Sequence, residues 1–210
     1  MLVSDLVFEK VGNVAEKFFE TEHTGFYKFN TGEILTVTKY EYRASPLGMA
    51  GVSFLPNWIL IEKDRFIFEN IHILKKDVVL FNPTVEKIVK FKKGTYKRYE
   101  DILKEKANGI FGKILTLLES KDYQKIVGLG PGLTPLGDDI LSGMYAAGFE
   151  EEIKFNTNEI SRQQLLHSKE GFVPYPVKAF LETGDDTLIL QMGATSGAGW
   201  AFGITYYLEG

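Results

Sequence analysis

The sequence predicts an α+β protein, with an N-terminal antiparallel β-sheet or small β-barrel followed by a C-terminal helical domain. Two patterns support this prediction. From Gly25 to about residue 83, apolar residues recur close to every second position, which is typical of β-strands. After Gly94 the apolar spacing becomes about 3.6, which is typical of amphipathic helices. We therefore expect a mainly antiparallel β domain over residues 1–93 and an α-helical domain over residues 94–210.

The β half is divided by turn-forming residues into about six short strands. The breaks fall at 30–32, 45–48, 63–64 and 75–77. No helical pattern separates these strands, so we expect antiparallel pairing. A curled sheet or small barrel would hide the edges that such strands otherwise expose. Within residues 1–20 the apolar positions have helical spacing, which predicts a short N-terminal helix.

The helical half begins with an apolar stripe that predicts one long helix over residues 96–120, bent at Gly109 and Gly112. Thr134 and Pro135 suit the N-cap and first turn of a second helix, which we expect to end near Gly148. Glycines then separate four further predicted helices, over residues 158–168, 175–182, 185–192 and 196–208.

Composition excludes several classes of protein. The chain has 210 residues, 44% of them hydrophobic, and a net charge of −4, which argues against a general nucleic-acid binder. With no cysteine, disulfides, thiolate metal sites and a cysteine nucleophile are excluded. The N-terminus lacks the pattern of a signal peptide, and no apolar run approaches the ~18 residues of a membrane span. We therefore expect a cytoplasmic protein that binds neither nucleic acid nor membrane.

The most chemically specific stretch is Gly128 to Asp139, which contains four glycines, two prolines and two adjacent carboxylates besides its apolar residues and Thr134. It is not a dinucleotide fingerprint, because Leu133 stands where the third glycine belongs. It is not a phosphate-binding P-loop either, because Asp138 and Asp139 replace the required lysine and hydroxyl. The backbone amides of this turn could still form a small anion-binding nest at a helix N-terminus.

The two carboxylates point in different directions if the helix begins at Pro135, since successive residues are about 100° apart around a helix. Asp139 then lies in line with Gly143, on a face without bulky side chains. The expected partner of that face is the last helix, because residues 193–199 repeat the pattern of glycine turn, hydroxyl cap and small residues. Asp138 and Asp139 are therefore the candidate catalytic residues, and the candidate ligand-binding residues are Gly130, Gly132, Thr134, Gly137, Thr195, Ser196 and Gly197.

A purely structural interpretation competes with this one. Aspartate in a first helical turn is stabilised by the helix dipole, and glycines often serve only to let helices cross closely. For Thr134, Ser196 and Gly143 taken singly, that interpretation is favoured. The density of such residues over 130–139 favours a functional site. His23, His72 and His167 lack metal-ligand spacing, so metal use stays open, with Mg²⁺ and a metal-bound water as one option.

The run Gly128-Leu-Gly-Pro-Gly-Leu-Thr-Pro-Leu-Gly-Asp-Asp-Ile-Leu-Ser-Gly143, followed later by Thr195-Ser-Gly197, resembles the AllH-like family of bacterial proteins. The resemblance covers most of the chain. It implies a role in anaerobic allantoin and purine-ring nitrogen catabolism, as a component of an oxamate carbamoyltransferase with an FdrA-like partner; many members have no assigned activity. The matching positions are Gly130, Gly132, Thr134, Gly137, Asp138, Asp139, Thr195, Ser196 and Gly197.

This chain departs from the family at Ala194, where a histidine is common, and that departure argues against an acid–base role at this position. The Ser-Thr-Arg-Thr signature of ordinary carbamoyltransferases is also absent, so that fold is not expected. Two hypotheses remain. The chain is a catalytic or substrate-binding subunit that binds a small anionic carbamoyl or amide compound, or it is a non-catalytic assembly or scaffold protein. A homo-oligomer is compatible with both.

Overall fold

The computed structural model describes residues 1–107 and 109–209. The described chain forms two compact units. The first comprises residues 1–84 together with 174–176, and the second comprises the rest. The first unit contains a curled β-sheet and the second is helical, which confirms the predicted α+β class. The sequence-based boundary after residue 93 falls inside the second unit.

The first unit is built on a nine-stranded sheet. In chain order the strands are β1 (Leu2–Ser4), β2 (Val14–Glu20), β3 (Thr24–Phe29), β4 (Ile34–Thr38), β5 (Gly48–Ala50), β6 (Trp58–Ile61), β7 (Arg65–Phe68), β8 (Ile71–Leu74) and β9 (Val79–Phe81). Their order in the sheet is β8-β7-β6-β2-β3-β4-β5-β1-β9. Most neighbouring strands run antiparallel, as expected, but β4 pairs with β5 and β1 with β9 in parallel.

The expected N-terminal helix is confined to a single turn, α1 (Asp5–Phe8), in which the Leu6 amide donates to the hydroxyl of the N-cap Ser4. Most of the remaining residues up to Glu20 form strands. Ala15 lies opposite Phe29 on one side and Ile59 on the other, so β2 is a central strand. Pairing with two neighbours outweighs the local helical spacing, because tertiary context commonly overrides weak local preference.

The core of the first unit consists of apolar side chains from neighbouring strands, with Tyr27 among the largest that are fully buried. Its hydroxyl donates to the carbonyl of Pro56 at 2.7 Å, so burial leaves no unpaired polar group there. Other members of this core are Leu35, Val37, Met49, Ile59, Ile61, Phe66 and Phe68.

The helices after β9 are α2 (Tyr96–Lys106), α3 (Ile110–Glu119), α4 (Leu136–Ala146), α5 (Glu159–Lys169), α6 (Tyr175–Thr183) and α7 (Ser196–Glu209). Four of the predicted helices therefore occur close to their expected bounds, although the N-cap of α4 is Pro135 and not Thr134. None of the described helices is both long enough and apolar enough to cross a membrane.

Two helix predictions were wrong. The long helix expected over 96–120 is two helices, because α2 ends at Lys106 and α3 starts after Gly109; Asn108 lies outside the described residues. The helix expected over 185–192 is only a 3-10 turn at Ile189–Gln191. There the Asp185 carboxylate accepts from both the backbone amide and the hydroxyl of Thr187, a local turn that competes with helix formation.

Helices α4 and α7 cross at very short range in the second unit. A Cβ added at Gly143 would overlap the carbonyl of Trp200, and one added at Gly203 would overlap the carbonyl of Ile140. Each helix therefore presents a glycine to the backbone of the other. The crossing buries α4 continuously from Leu136 to Tyr145, both carboxylates of its first turn included.

Candidate functional site

The glycine-rich turn leads directly into α4, and two of its glycines are required by geometry. Gly130 has a φ of +124°, which side-chain-bearing residues rarely adopt, and an added Cβ would lie 2.9 Å from the backbone nitrogen of Leu136. A Cβ at Gly137 would overlap the carbonyl of Ile126. The Gly137 amide donates to the carbonyl of Leu129 at 2.9 Å. The turn is therefore folded back tightly on the start of α4.

Asp138 is fully buried and accepts three hydrogen bonds from the protein. Its Oδ1 accepts from the backbone amide of Gly128 at 2.7 Å. Its Oδ2 accepts from the hydroxyls of Thr157 at 2.7 Å and Ser161 at 2.6 Å. Short hydrogen bonds to a carboxylate are among the stronger ones in proteins. Asp138 thus connects the glycine-rich turn to α5, and both of its oxygens are engaged within the protein.

Asp139 is also fully buried, but its surroundings differ from those of Asp138. Its Oδ1 accepts from Nε2 of Gln164 at 2.9 Å. Its Oδ2 has no hydrogen-bond partner of ordinary geometry among the described residues, although the Ser196 and Thr134 hydroxyls are close enough to act on the carboxyl group. A buried carboxyl oxygen without a partner is costly and uncommon in folded proteins.

Burial raises the pKa of Asp139 from its ordinary 3.8 to about 7. The Gln164 hydrogen bond opposes this rise most, and the nearby Ser196 hydroxyl opposes it next. The negative charge of Asp138 adds to the rise, and the Thr134 hydroxyl opposes it. The carboxyl group therefore exists in both protonated and ionised forms near neutral pH.

The N-terminal ends of α4 and α7 meet at this carboxyl group. The hydroxyl oxygens of Thr134, just before α4, and Ser196, the first residue of α7, lie 3.3 Å apart. A Cβ added at Gly199 would lie 3.1 Å from Cβ of Asp139, so the aspartate packs against the first turn of α7. Thr134 and Ser196 are partly exposed, whereas Asp139 is buried. The structure thus brings together the two sequence segments that carry the candidate site.

The other candidate residues are distributed around this point. Gly132 is exposed at the tip of the turn, and Thr195 is half-buried immediately before α7, where its carbonyl accepts from the Gly199 amide at 2.8 Å. Gly197 packs on the 3-10 turn, because an added Cβ would overlap the carbonyl of Ile189. Ala194, at the position where the resemblance leads us to expect a histidine, is exposed.

Sequence reasoning did not assign a role to Thr157, which precedes α5, or to Ser161 and Gln164 on α5. All three donate hydrogen bonds to the two aspartates. A signal for the α5 pair was present in the sequence, since a spacing of three places Ser161 and Gln164 on one face of a helix. This polar face of α5 packs against α4.

A metal site is not formed by clustered side chains in the part of the chain that the structure describes, where no three His, Cys, Asp or Glu residues converge. Asp138 and Asp139 accept from different partners and do not form a paired carboxylate site. Comparisons of the chain with protein-family models, with curated proteins and with solved structures found no match.

Proposed function

We propose that this chain binds a small anionic carbamoyl or amide compound where the N-termini of α4 and α7 meet, as an AllH-like subunit or relative of an oxamate carbamoyltransferase. The observation that supports the proposal most is the unpartnered Oδ2 of the buried Asp139, next to the hydroxyls of Thr134 and Ser196. A bound compound with an amide group would supply the missing partner.

The two helix N-termini suit the anionic part of such a compound. Free amides and the helix dipole make an N-terminus a favourable place for a carboxylate or phosphate. Two of them meet here, and the partly exposed Thr134 and Ser196 hydroxyls offer further hydrogen bonds. The residues proposed to hold the ligand are those of the sequence hypothesis: Gly130, Gly132, Thr134, Gly137, Thr195, Ser196 and Gly197.

The two aspartates have different roles in this proposal. Asp139, whose pKa is about 7, can donate a hydrogen bond to a carbamoyl oxygen when protonated and accept one from an amide N–H when ionised. It can also exchange a proton with a reacting nitrogen at neutral pH. Asp138, which accepts three hydrogen bonds from the protein, holds the turn and α5 in place.

The wider assignments belong to the same proposal. A role in allantoin and purine-ring catabolism, an FdrA-like partner, a homo-oligomer, a cytoplasmic location and Mg²⁺ as a cofactor all depend on the family resemblance or on sequence composition. The alternative is a non-catalytic assembly protein, which is favoured by the close glycine-mediated crossing of α4 and α7 and by the full burial of Asp139.

Ligand-induced stabilisation tests the proposal. We expect oxamate, oxalurate or carbamoyl phosphate, with or without Mg²⁺, to raise the melting temperature by about 5 °C at ligand concentrations about 100-fold above Kd. Asp139→Asn should abolish the shift, because Gln164 would hold the oxygen of Asn and leave its NH2 group, which cannot accept a hydrogen bond, in the place of Oδ2. Asp101→Asn, which changes an exposed carboxylate on α2, is the matched control and should keep it.

Absence of any shift with all three compounds would contradict ligand binding. Under the assembly alternative, Asp139→Asn would instead change the molar mass measured by light scattering or the capture of an FdrA-like partner, and ligands would have no effect in either protein.

A further inference from the structure

The side-chain amide of Gln164 is shared between two buried groups of α4. Its Nε2 donates to Oδ1 of Asp139 at 2.9 Å and to Oγ of Ser142 at 3.2 Å. Asp139 and Ser142 are three residues apart on α4 and therefore lie on one face of it. Because Nε2 has two hydrogens, both are used by these two acceptors.

This sharing determines the orientation of the amide. If the amide group rotated by half a turn, Oε1 of Gln164 would face Oδ1 of Asp139, and two acceptors would oppose each other. The hydrogen bond to the ionised carboxylate would be lost, whereas the Ser142 hydroxyl could still donate to Oε1. The amide therefore holds Oδ1, and Oδ2 is the oxygen of Asp139 left without a partner.

Helix α5 is itself attached to the glycine-rich turn. Its N-cap, Asn158, accepts from the amide of Ser161 at 3.0 Å and donates to the carbonyl of Leu133 at 2.8 Å. Ser161 and Gln164, three residues apart on α5, hold Asp138 and Asp139 respectively. One helix thus positions both carboxyl groups from one face.

We infer that Gln164 is a positioning residue for Asp139: it fixes the carboxyl group so that the unpartnered Oδ2 is available at the junction of α4 and α7. The inference rests on the proposed function only where it predicts that Gln164 affects ligand binding. The orientation and titration of the carboxyl group can be measured in the free protein.

Gln164 also acts on the charge of Asp139. Its hydrogen bond favours the ionised form and opposes burial, which favours the protonated form. The neighbouring groups from α5, α7 and the turn that act on this carboxyl group are the uncharged Gln164, Ser196 and Thr134, and the charge that acts on it is that of Asp138. Removal of the amide therefore shifts the titration in one direction, toward higher pH.

The experiment is a carbon-13 NMR titration of the full-length protein labelled at the aspartate carboxyl carbons, with the Asp139 signal assigned from Asp139→Asn. In Gln164→Leu we expect the midpoint for Asp139 to rise by about one pH unit or more, as a hydrogen bond to a charged group is lost. Gln124→Leu is the matched control and should leave the midpoint unchanged, because the Gln124 amide bonds to the backbone of Lys154 and not to Asp139.

Gln164→Met provides a second variant if Gln164→Leu does not fold. Its unbranched side chain is close to glutamine in size and has no N–H donor, so it should also raise the midpoint. A midpoint unchanged in the folded Gln164 variants would overturn the inference, even if those variants melted at lower temperature, since a merely structural role predicts that result.

Ligand binding separates this inference from the proposed function. With oxamate as the probe, Gln164→Leu should weaken binding at least about tenfold, while Gln124→Leu should not. A raised Asp139 midpoint in Gln164→Leu, together with no binding of oxamate by the unsubstituted protein, would leave the positioning role supported and contradict the proposed ligand.

Discussion

Asp138 and Asp139 are neighbours in sequence, and the structure gives them opposite surroundings. Helical geometry turns the two side chains about 100° apart, so that one faces Thr157 and Ser161 and the other faces the first turn of α7. Asp138 accepts three hydrogen bonds, whereas Asp139 has one unpartnered oxygen. The proposed function therefore assigns proton exchange to Asp139 and a structural role to Asp138.

The raised pKa of Asp139 predicts a pH-dependent stability. The pKa is about 7 in the folded protein and ordinarily 3.8, so the folded state binds more protons than the unfolded state between these values. The contribution of Asp139 to stability is therefore fully present below pH ~4 and is lost as the pH rises through ~7. Between pH ~5 and ~8 the loss should be about 2–3 kcal/mol.

Urea unfolding at these two pH values measures this loss. The free energy of unfolding should fall more steeply with pH in the unsubstituted protein than in Asp139→Asn, in which that carboxyl group is removed. Identical pH dependence in the two proteins would show that Asp139 titrates normally in the folded state.

At the level of elements, the crossing of α4 and α7 decides whether the two halves of the candidate site meet. Gly143 and Gly203 let the two backbones approach, and the Thr134 and Ser196 hydroxyls are adjacent as a result. The structural interpretation of Gly143 and the functional interpretation of the turn are therefore compatible, because the close crossing is what places the first turn of α7 against Asp139.

The same substitution should have opposite effects at two helical glycines. Gly143→Ala should lower the free energy of unfolding by about 3 kcal/mol, because its methyl group would overlap a backbone carbonyl that cannot move freely. Gly112→Ala, on the exposed side of α3 with open space around it, should raise it by about 0.5–1 kcal/mol, since alanine favours helix.

Denaturant unfolding of Gly143→Ala and Gly112→Ala measures both changes in the free energy of unfolding. Stabilisation by Gly143→Ala of the size expected for Gly112→Ala would show that α4 and α7 are farther apart than described.

For the whole molecule, the chain folds as two units whose sequences are interleaved. Residues 174–176 belong to the first unit although the chain on both sides belongs to the second. The ring of Tyr175 packs edge-on against Phe81 at 5.7 Å between centroids, and its amide donates to the carbonyl of Ala44 at 3.0 Å. The first unit is therefore completed by a segment distant in sequence.

Loss of that segment's side chain should destabilise the first unit. We expect Tyr175→Ala to lower its free energy of unfolding by about 1–3 kcal/mol through lost ring contacts, and Tyr175→Phe to have little effect. Trp58 lies in the first unit and Trp200 in the second, so fluorine NMR of 5-fluorotryptophan-labelled protein can follow both. If the Trp58 signal kept its unfolding midpoint in Tyr175→Ala, the contribution of this segment would be refuted.

The order of elements is largely determined by local sequence. The change from strand to helix spacing, the start of α4 after Thr134 and Pro135, and the bounds of α5 and α7 all follow from patterns within a few residues. The glycine-rich turn can be recognised in the sequence for the same reason, because the positive φ angles at Gly128, Gly130 and Gly132 favour glycine at those positions. A candidate site at Gly128–Asp139 could therefore be predicted without a structure.

The tertiary structure alone decided the rest. Residues 14–20 are a strand because β3 and β6 flank them, and α2 and α3 are separate helices. Only the packing of α5 and α7 on α4 shows that Asp138 is fully hydrogen-bonded, that Asp139 is buried with one oxygen unpartnered, and that Gln164 holds it. Burial and hydrogen-bond partners depend on contacts between residues far apart in the chain, and spacing within one segment does not encode them.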